Sequence, residues 1–396
     1  MTYHEVPHIV IKNNSQKGGY FFEDILTEEI LTDVCRKVTG TSEYTVEFDN
    51  EGGYNKGRLA TISYKGSKIY VSFSQAGKVE GRNYNFQSLT TALVRFYRGS
   101  RHSSRICFYF LPQEGNRETE YFSFMYRVMA TAGVEFINDE QYLTQTIEKF
   151  ANVQDIINAR DGLREGKRNN NSSYLTKSEY GVAEIYAKTY GANKKEAVLI
   201  SLAASHISKK IRIYEIREQN ISVLPKPDKE ALEMLPNVEI INTDMQIEIR
   251  EFVGRNSLRS PRYIFNLLDR LGPKKCTLCD CEIPELIEGA HIWPVADIKA
   301  DKSIPNDQKL NYAIDGHNGI WLCENHHKMF DEGLIRIEHD GTIRLKDDLN
   351  DNDKSFIITT TTNTLLPDGV ISEEAEIYLA KRDEASTYEA SNYITI

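Results

Sequence analysis

The chain has 396 residues, 40% hydrophobic and 27% charged, with a formal net charge of −10, which is the make-up of an ordinary globular protein with room for two or three domains. No apolar run approaches the ~20 residues that a bilayer crossing needs. The opening MTYHEVPHIVIKNN lacks the basic-then-apolar order of a secretory leader, so the chain is expected in the cytoplasm.

Residues 1–160 are expected to form one mixed α/β domain. GRLATISYKGSKIYVSFS alternates apolar and polar residues about Lys65-Gly66, as a hairpin does. RICFYFLP predicts a short buried strand, and YFSFMYRVMATAGVEFIN a helix followed by a strand. The polar, Asn-rich stretch 161–173 is the expected linker. A segment over 174–245 follows. Thr176 and Glu179 suggest a capping box opening a helix. A helix over NKKEAVLISLAASHIS, with His206 as a packing residue, then precedes the strand KKIRIYEI. The Pro-rich 223–239 is expected to be irregular. A third unit, 246–350, has a helix over 258–270 and a hairpin, LIRIEHDGTIRL, turning at Asp340-Gly341. Residues 351–396 give helix-like and strand-like pieces without a motif.

The net acidity argues weakly against nucleic acid as a partner, but phosphate contact needs only a local basic face. Arg95, Arg98, Arg101 and Arg105 fall in one acid-free stretch interleaved with aromatics, which suits contact with DNA phosphates and bases. A second basic group, Arg255, Arg259, Arg262, Arg270, Lys274 and Lys275, leads into a cysteine cluster.

Four of the six cysteines and four of the nine histidines lie between Cys276 and His327. In a reducing compartment such a cluster indicates a metal site rather than disulfides, and Cys35 and Cys107, among apolar residues, are expected in the core. Cys276-x2-Cys279 and Cys323-x2-His326 share the spacing with which a tight turn offers two ligands to one ion, so together they predict a tetrahedral structural Zn2+. Cys281 is a spare that ranks below Cys279. Between the half-sites lies AHIWP, where His291 is placed to deprotonate a water for attack on phosphorus. Such a base needs its other ring nitrogen held by an Asn or backbone oxygen, and Asn318, just before the strand IWLC, is suitably placed. His327 adjoins His326 at a helix start; neighbours there diverge by ~100°, so one can face zinc and the other a catalytic groove.

These residues, His291, Asn318 and His327 framed by Cys276, Cys279, Cys323 and His326, resemble the HNH (ββα-metal) endonuclease family over about 258–345. The resemblance implies an α+β multidomain protein with a C-terminal ββα-metal nuclease domain. It implies His291 as general base, Asn318 as its orienter and His327 as ligand of a catalytic Mg2+ or Mn2+. Many members carry Asp or His immediately before the base as a second ligand. Here that position is Ala290, and Glu288, two residues earlier, is the substitute candidate, ahead of Asp297, Asp315 and His317. The expected function is hydrolysis of duplex DNA as a restriction-type endonuclease, acting as a homodimer, with residues 1–160 for DNA recognition and 174–245 for recognition or dimerisation. The alternatives are an antiphage effector licensed by a ligand or partner, and a zinc-stabilised DNA-binding protein that no longer cuts.

Overall fold

The computed structural model describes residues 5–12, 26–49, 59–75, 89, 92–93, 95–97, 104–112, 120–163, 173–178, 181–188, 194–217, 224, 226–254, 260–386 and 389–396. The sequence mixes α and β segments, and so does the fold. By contacts the chain divides into two compact units: residues 1–175 with 187–215 and 221–241, and residues 176–186 with 216–220 and 242–396.

The first unit opens with β1 (His8–Lys12), α1 (Glu28–Thr39), β2 (Thr45–Asp49), β3 (Leu59–Tyr64), β4 (Ser67–Gln75), β5 (Ser104–Leu111), α2 (Glu120–Thr131), β6 (Glu135–Phe136) and α3 (Val153–Gly162). Its sheet runs β2-β1-β3-β4-β5-β6, and β3 and β4 form the expected hairpin. The turn needs positive φ at both central positions, and Lys65 and Gly66 supply it at 48° and 72°. Helix α1 is capped by Thr27 and seats Leu31, Val34 and Cys35 against Ile9, Ile62, Val71 and Cys107, so both outlying cysteines are core residues. Phe108 and Phe110 pack with Tyr126 and Phe136 in a second aromatic layer.

Between residues 173 and 243 lie β7 (Ser173–Lys177), β8 (Ala183–Lys188), α4 (Lys194–Ile207), β9 (Ile211–Ile216), α5 (Lys226–Glu233) and β10 (Val238–Thr243), with the strands in the order β10-β9-β8-β7. Two expectations are corrected here. Thr176 lies in β7 rather than at a helix start: Tyr174, Leu175 and Thr176 are all buried, and burial of a β-prone run outweighs a two-residue capping cue. Residues 226–233 are helical, not irregular. Pro227 falls in the first turn of α5, where a missing N–H costs no helical bond, and Ala231 and Leu232 supply the buried side. His206 packs as expected, its Nε2 2.9 Å from the Tyr97 hydroxyl.

The second unit carries α6 (Met245–Gly254), α7 (Pro261–Leu271), β11 (Ile287–His291), α8 (Val295–Ala300), α9 (Asn306–Ile314), β12 (Gly319–Cys323), α10 (Glu324–Asp331), β13 (Ile335–Ile337), β14 (Ile343–Lys346), α11 (Asp351–Thr360), α12 (Glu373–Ser386) and β15 (Tyr393–Thr395). Ser260 caps α7 and Pro261 begins it, and Tyr263, Phe265, Leu267 and Leu268 form its buried face. That face lies on the antiparallel pair β11-β12, and glycines allow the approach. A Cβ on Gly319 would stand 2.1 Å from the Tyr263 hydroxyl oxygen, and one on Gly289 2.5 Å from Leu267 Cδ1. Gly319→Ala is therefore expected to destabilise this unit by about 1–3 kcal/mol, as overpacking does. Urea denaturation checks it, and an unchanged midpoint would mean that α7 does not sit on the pair so closely. Among the described residues no helix is long and apolar enough to cross a membrane.

Candidate active site

The expected zinc ligands converge from two turns. Cys276 and Cys279 lie in the loop after α7, where Thr277 N–H donates to the Trp321 carbonyl at 2.9 Å and fastens the loop to β12. Cys323 is the N-cap of α10 and His326 lies in that helix's first turn, which brings Cys323 Sγ and His326 Nδ1 to 3.1 Å. The four donor atoms all lie within 4.8 Å of one another, so the set fits one tetrahedral Zn2+; Cys281 is not among them. Burial raises the Cys276 thiol and pushes that of Cys279 up to about 12, so metal uptake must displace protons. His326 Nε2 is 3.2 Å from Thr361 Oγ1, a partner that fixes the ring with Nδ1 toward the sulfurs.

The β11-β12 pair and α10 make a ββα unit in which Ile287 faces Cys323 and His291 faces Gly319. His291 is half-buried, and its Nε2 lies 2.9 Å from the Ala313 carbonyl at the end of α9. A carbonyl only accepts, so Nε2 carries the proton and Nδ1 keeps its lone pair. Burial pulls the His291 pKa down to about 4, with a further pull from the nearby His327, so the ring is a neutral base at pH 7. The Tyr263 ring stacks on it at 4.0 Å between centroids and 11° between planes, while the Tyr263 hydroxyl donates to the Ala290 carbonyl at 3.1 Å.

Asn318 is fully buried and spends its amide on backbone. Its Oδ1 accepts from Trp293 N–H at 2.7 Å, and its Nδ2 donates to the Trp293 and Tyr312 carbonyls at 3.1 and 3.0 Å. It thus clamps the segment leaving His291, while the His291 ring itself is held by Ala313 and Tyr263. His327 Nδ1 lies 2.7 Å from Glu288 Oε2 and its Nε2 3.4 Å from Asp331 Oδ2. The Glu288 carboxylate, with smaller help from Asp331, raises the His327 pKa above its ordinary value. The two carboxylates stand at opposite ring nitrogens, so His327 and Glu288 are the pair that could share one divalent ion, with Asp331 at the far nitrogen. Ala290 is fully buried. Asp315 and His317 are engaged elsewhere: Asp315 accepts from the Tyr378 hydroxyl at 2.6 Å, and His317 Nδ1 is 2.7 Å from Ser372 Oγ.

Residues 276–338 match the family model of the HNH endonucleases. This segment is an HNH endonuclease domain. It puts in the chain a nuclease that acts on DNA. A search of curated proteins found no match.

Much of what holds the HNH domain lies outside the matched residues. Arg382 of α12 is buried, donates to the Ile292 carbonyl at 3.0 Å and to the Phe330 carbonyl, and stacks over the Phe330 ring at 3.8 Å. It joins the exit of the His291 strand to the end of the His327 helix. Arg270 of α7 donates to the carbonyls of Gly316, Gly319 and Val370. β15 adds to the β13-β14 hairpin. No local spacing announces Tyr263, Arg270 or Arg382, because each works through backbone carbonyls or a ring distant in sequence.

Of the expected DNA-contacting residues, Arg95, Arg105, Arg262, Lys274 and Lys275 are among the described ones. Arg98, Arg101, Arg255 and Arg259 lie outside the described residues. Arg95 reaches Thr61 Oγ1 at 3.5 Å, and Arg105 is paired with Glu135 and donates to the Val38 carbonyl at 3.0 Å. Arg262 Nε lies 3.4 Å from the buried Glu248, Lys274 lies over the Trp321 ring at 5.9 Å, and the exposed Lys275 pairs with Glu282.

Proposed function

We propose that this protein is a cytoplasmic, divalent-metal-dependent endonuclease of restriction type. It cuts duplex DNA as a homodimer, with residues 1–160 and 174–245 contributing recognition or dimerisation. The observation that carries this reading is the His291 ring: Nε2–H held by Ala313, Nδ1 without a partner among the described residues, and the neutral form dominant at pH 7. His291 Nδ1 takes a proton from the water that attacks phosphorus, and the Ala313 carbonyl steadies the imidazolium that results. Asn318 keeps the strand end in register with α9. His327 and Glu288 would hold the Mg2+ or Mn2+, with Asp331 at the other ring nitrogen. When bound, such an ion neutralises charge on the scissile phosphate and the leaving 3′ oxygen. A two-fold duplex site matches a two-fold dimer. The buried Ala290 favours a second reading, a silent DNA-binding protein; the Glu288–His327 pair, which supplies the missing carboxylate, opposes it.

Nicking of supercoiled plasmid, titrated with Mg2+ or Mn2+ at pH 6 and pH 8, tests the site. A proton competes with metal for His327, and Glu288 holds that proton to higher pH than usual. The metal concentration for half-maximal rate is therefore expected to rise by up to about tenfold per pH unit on acidification. His291 stays neutral across this range, so the rate at saturating metal should stay flat. A saturated rate that falls about fourfold from pH 8 to pH 6 would assign the base an ordinary histidine pKa and contradict the site as described.

A further inference from the structure

A general base must present one lone pair in one direction. His291 is the last residue of β11, so no later residue of that strand flanks its ring. The Ala313 bond fixes one nitrogen but leaves the ring free to swing about the Nε2···O direction. The face of the ring is covered by Tyr263, nearly parallel at 11° and 4.0 Å away. Tyr263 is in turn fixed to the strand that carries His291, through its hydroxyl on the Ala290 carbonyl. Its approach demands that residues 289 and 319 lack side chains, as they do. Ring, hydroxyl and two glycines thus form one device, and Tyr263 lies outside the residues that match the family model.

We propose that Tyr263 is a positioning residue, a stacking plate which, together with the Ala313 carbonyl, locks His291 in the Nε2–H tautomer with Nδ1 aimed at the attacking water. The proposal rests on the assignment of His291 as the base. A plain core tyrosine would affect folding and nothing else. A plate affects the tautomer and kcat, and leaves KM alone.

The test uses the full chain labelled with 15N-histidine, with His291→Gln to assign the resonance. At neutral pH, wild-type His291 is expected as a single species, protonated at Nε2, with its ring protons shifted upfield by the Tyr263 ring current. Tyr263→Met keeps the bulk but removes the plate; it should give mixed tautomers and lower kcat by ~10–100-fold at unchanged KM, the scale of a misplaced reacting group. Tyr263→Phe keeps the ring, and should restore the single tautomer and recover most of the kcat lost in Tyr263→Met. Zinc content and circular dichroism report folding of each variant. If Tyr263→Met does not fold, the wild-type spectrum still decides: an Nδ1–H or mixed tautomer, or no upfield shift, overturns the proposal. So does a folded Tyr263→Met with the wild-type tautomer and kcat. A locked tautomer in a protein that cleaves no DNA would instead sustain the positioning and reject the nuclease reading.

Discussion

His291→Ala should lower the DNA cleavage rate by ~10²–10⁴-fold, the range that a positioned general base contributes. DNA binding measured with Ca2+ in place of the working metal should persist, because the side chain holds no phosphate in this reading. The fold should also tolerate the change. Among the described residues the His291 ring bonds the Ala313 carbonyl and stacks on Tyr263, and neither contact belongs to the strand's own backbone ladder. The zinc donors lie on other elements, two in the loop after α7 and two at the start of α10. Cleavage and binding measured together with zinc content separate loss of chemistry from loss of fold. A variant that cuts at near-normal rate would remove His291 from the mechanism.

Loss of zinc should be the most damaging structural change. The loop at 276–281 has few ways to hold its shape apart from the ion. Its fastenings are Thr277 on Trp321, the bond from Cys276 N–H to the Cys281 carbonyl, and Asn363, which donates to the Thr277 and Leu278 carbonyls. Four donors around one ion supply on the order of 10 kcal/mol in small zinc units. Cys276→Ser or Cys323→Ser should therefore lower the melting temperature of the zinc-bearing unit by about 10 °C or more, since each kcal/mol moves a unit of this size by about 2–4 °C. Protein purified without added metal should hold about one Zn2+ per chain. Chelation should act as the substitutions do, and more readily in acid, where protons return to the thiolates. Protein without zinc and with an unaltered melting profile would contradict the assignment.

What the sequence revealed follows from how local each signal is. Cys276-x2-Cys279 and Cys323-x2-His326 are read from spacing because each pair is built by one turn, and the structure gathers the same four residues. The hairpins at Lys65-Gly66 and Asp340-Gly341 are legible for the same reason. Thr176 misled because a capping cue rests on residue types alone, whereas Tyr174, Leu175 and Thr176 are buried in a strand beside β8. The support of His291 was partly legible. A backbone oxygen was one of the two partners expected for its ring, yet nothing near His291 names Ala313 as the donor of that oxygen. Tyr263 lies 28 residues before His291, on a helix whose apolar face looks like any core face. Residues 351–396 carry no motif because they act through packing and carbonyl bonds, Arg382 above all.

The most direct measurement of the central claim is cleavage by the purified chain on unmodified and methylated duplex DNA with Mg2+ or Mn2+, with the product ends sequenced. The expected result is metal-dependent scission of at least one of these substrates at defined positions, absent in His291→Ala assayed alongside. A folded, zinc-loaded wild-type protein that binds these duplexes and leaves every strand intact in both metals would contradict it.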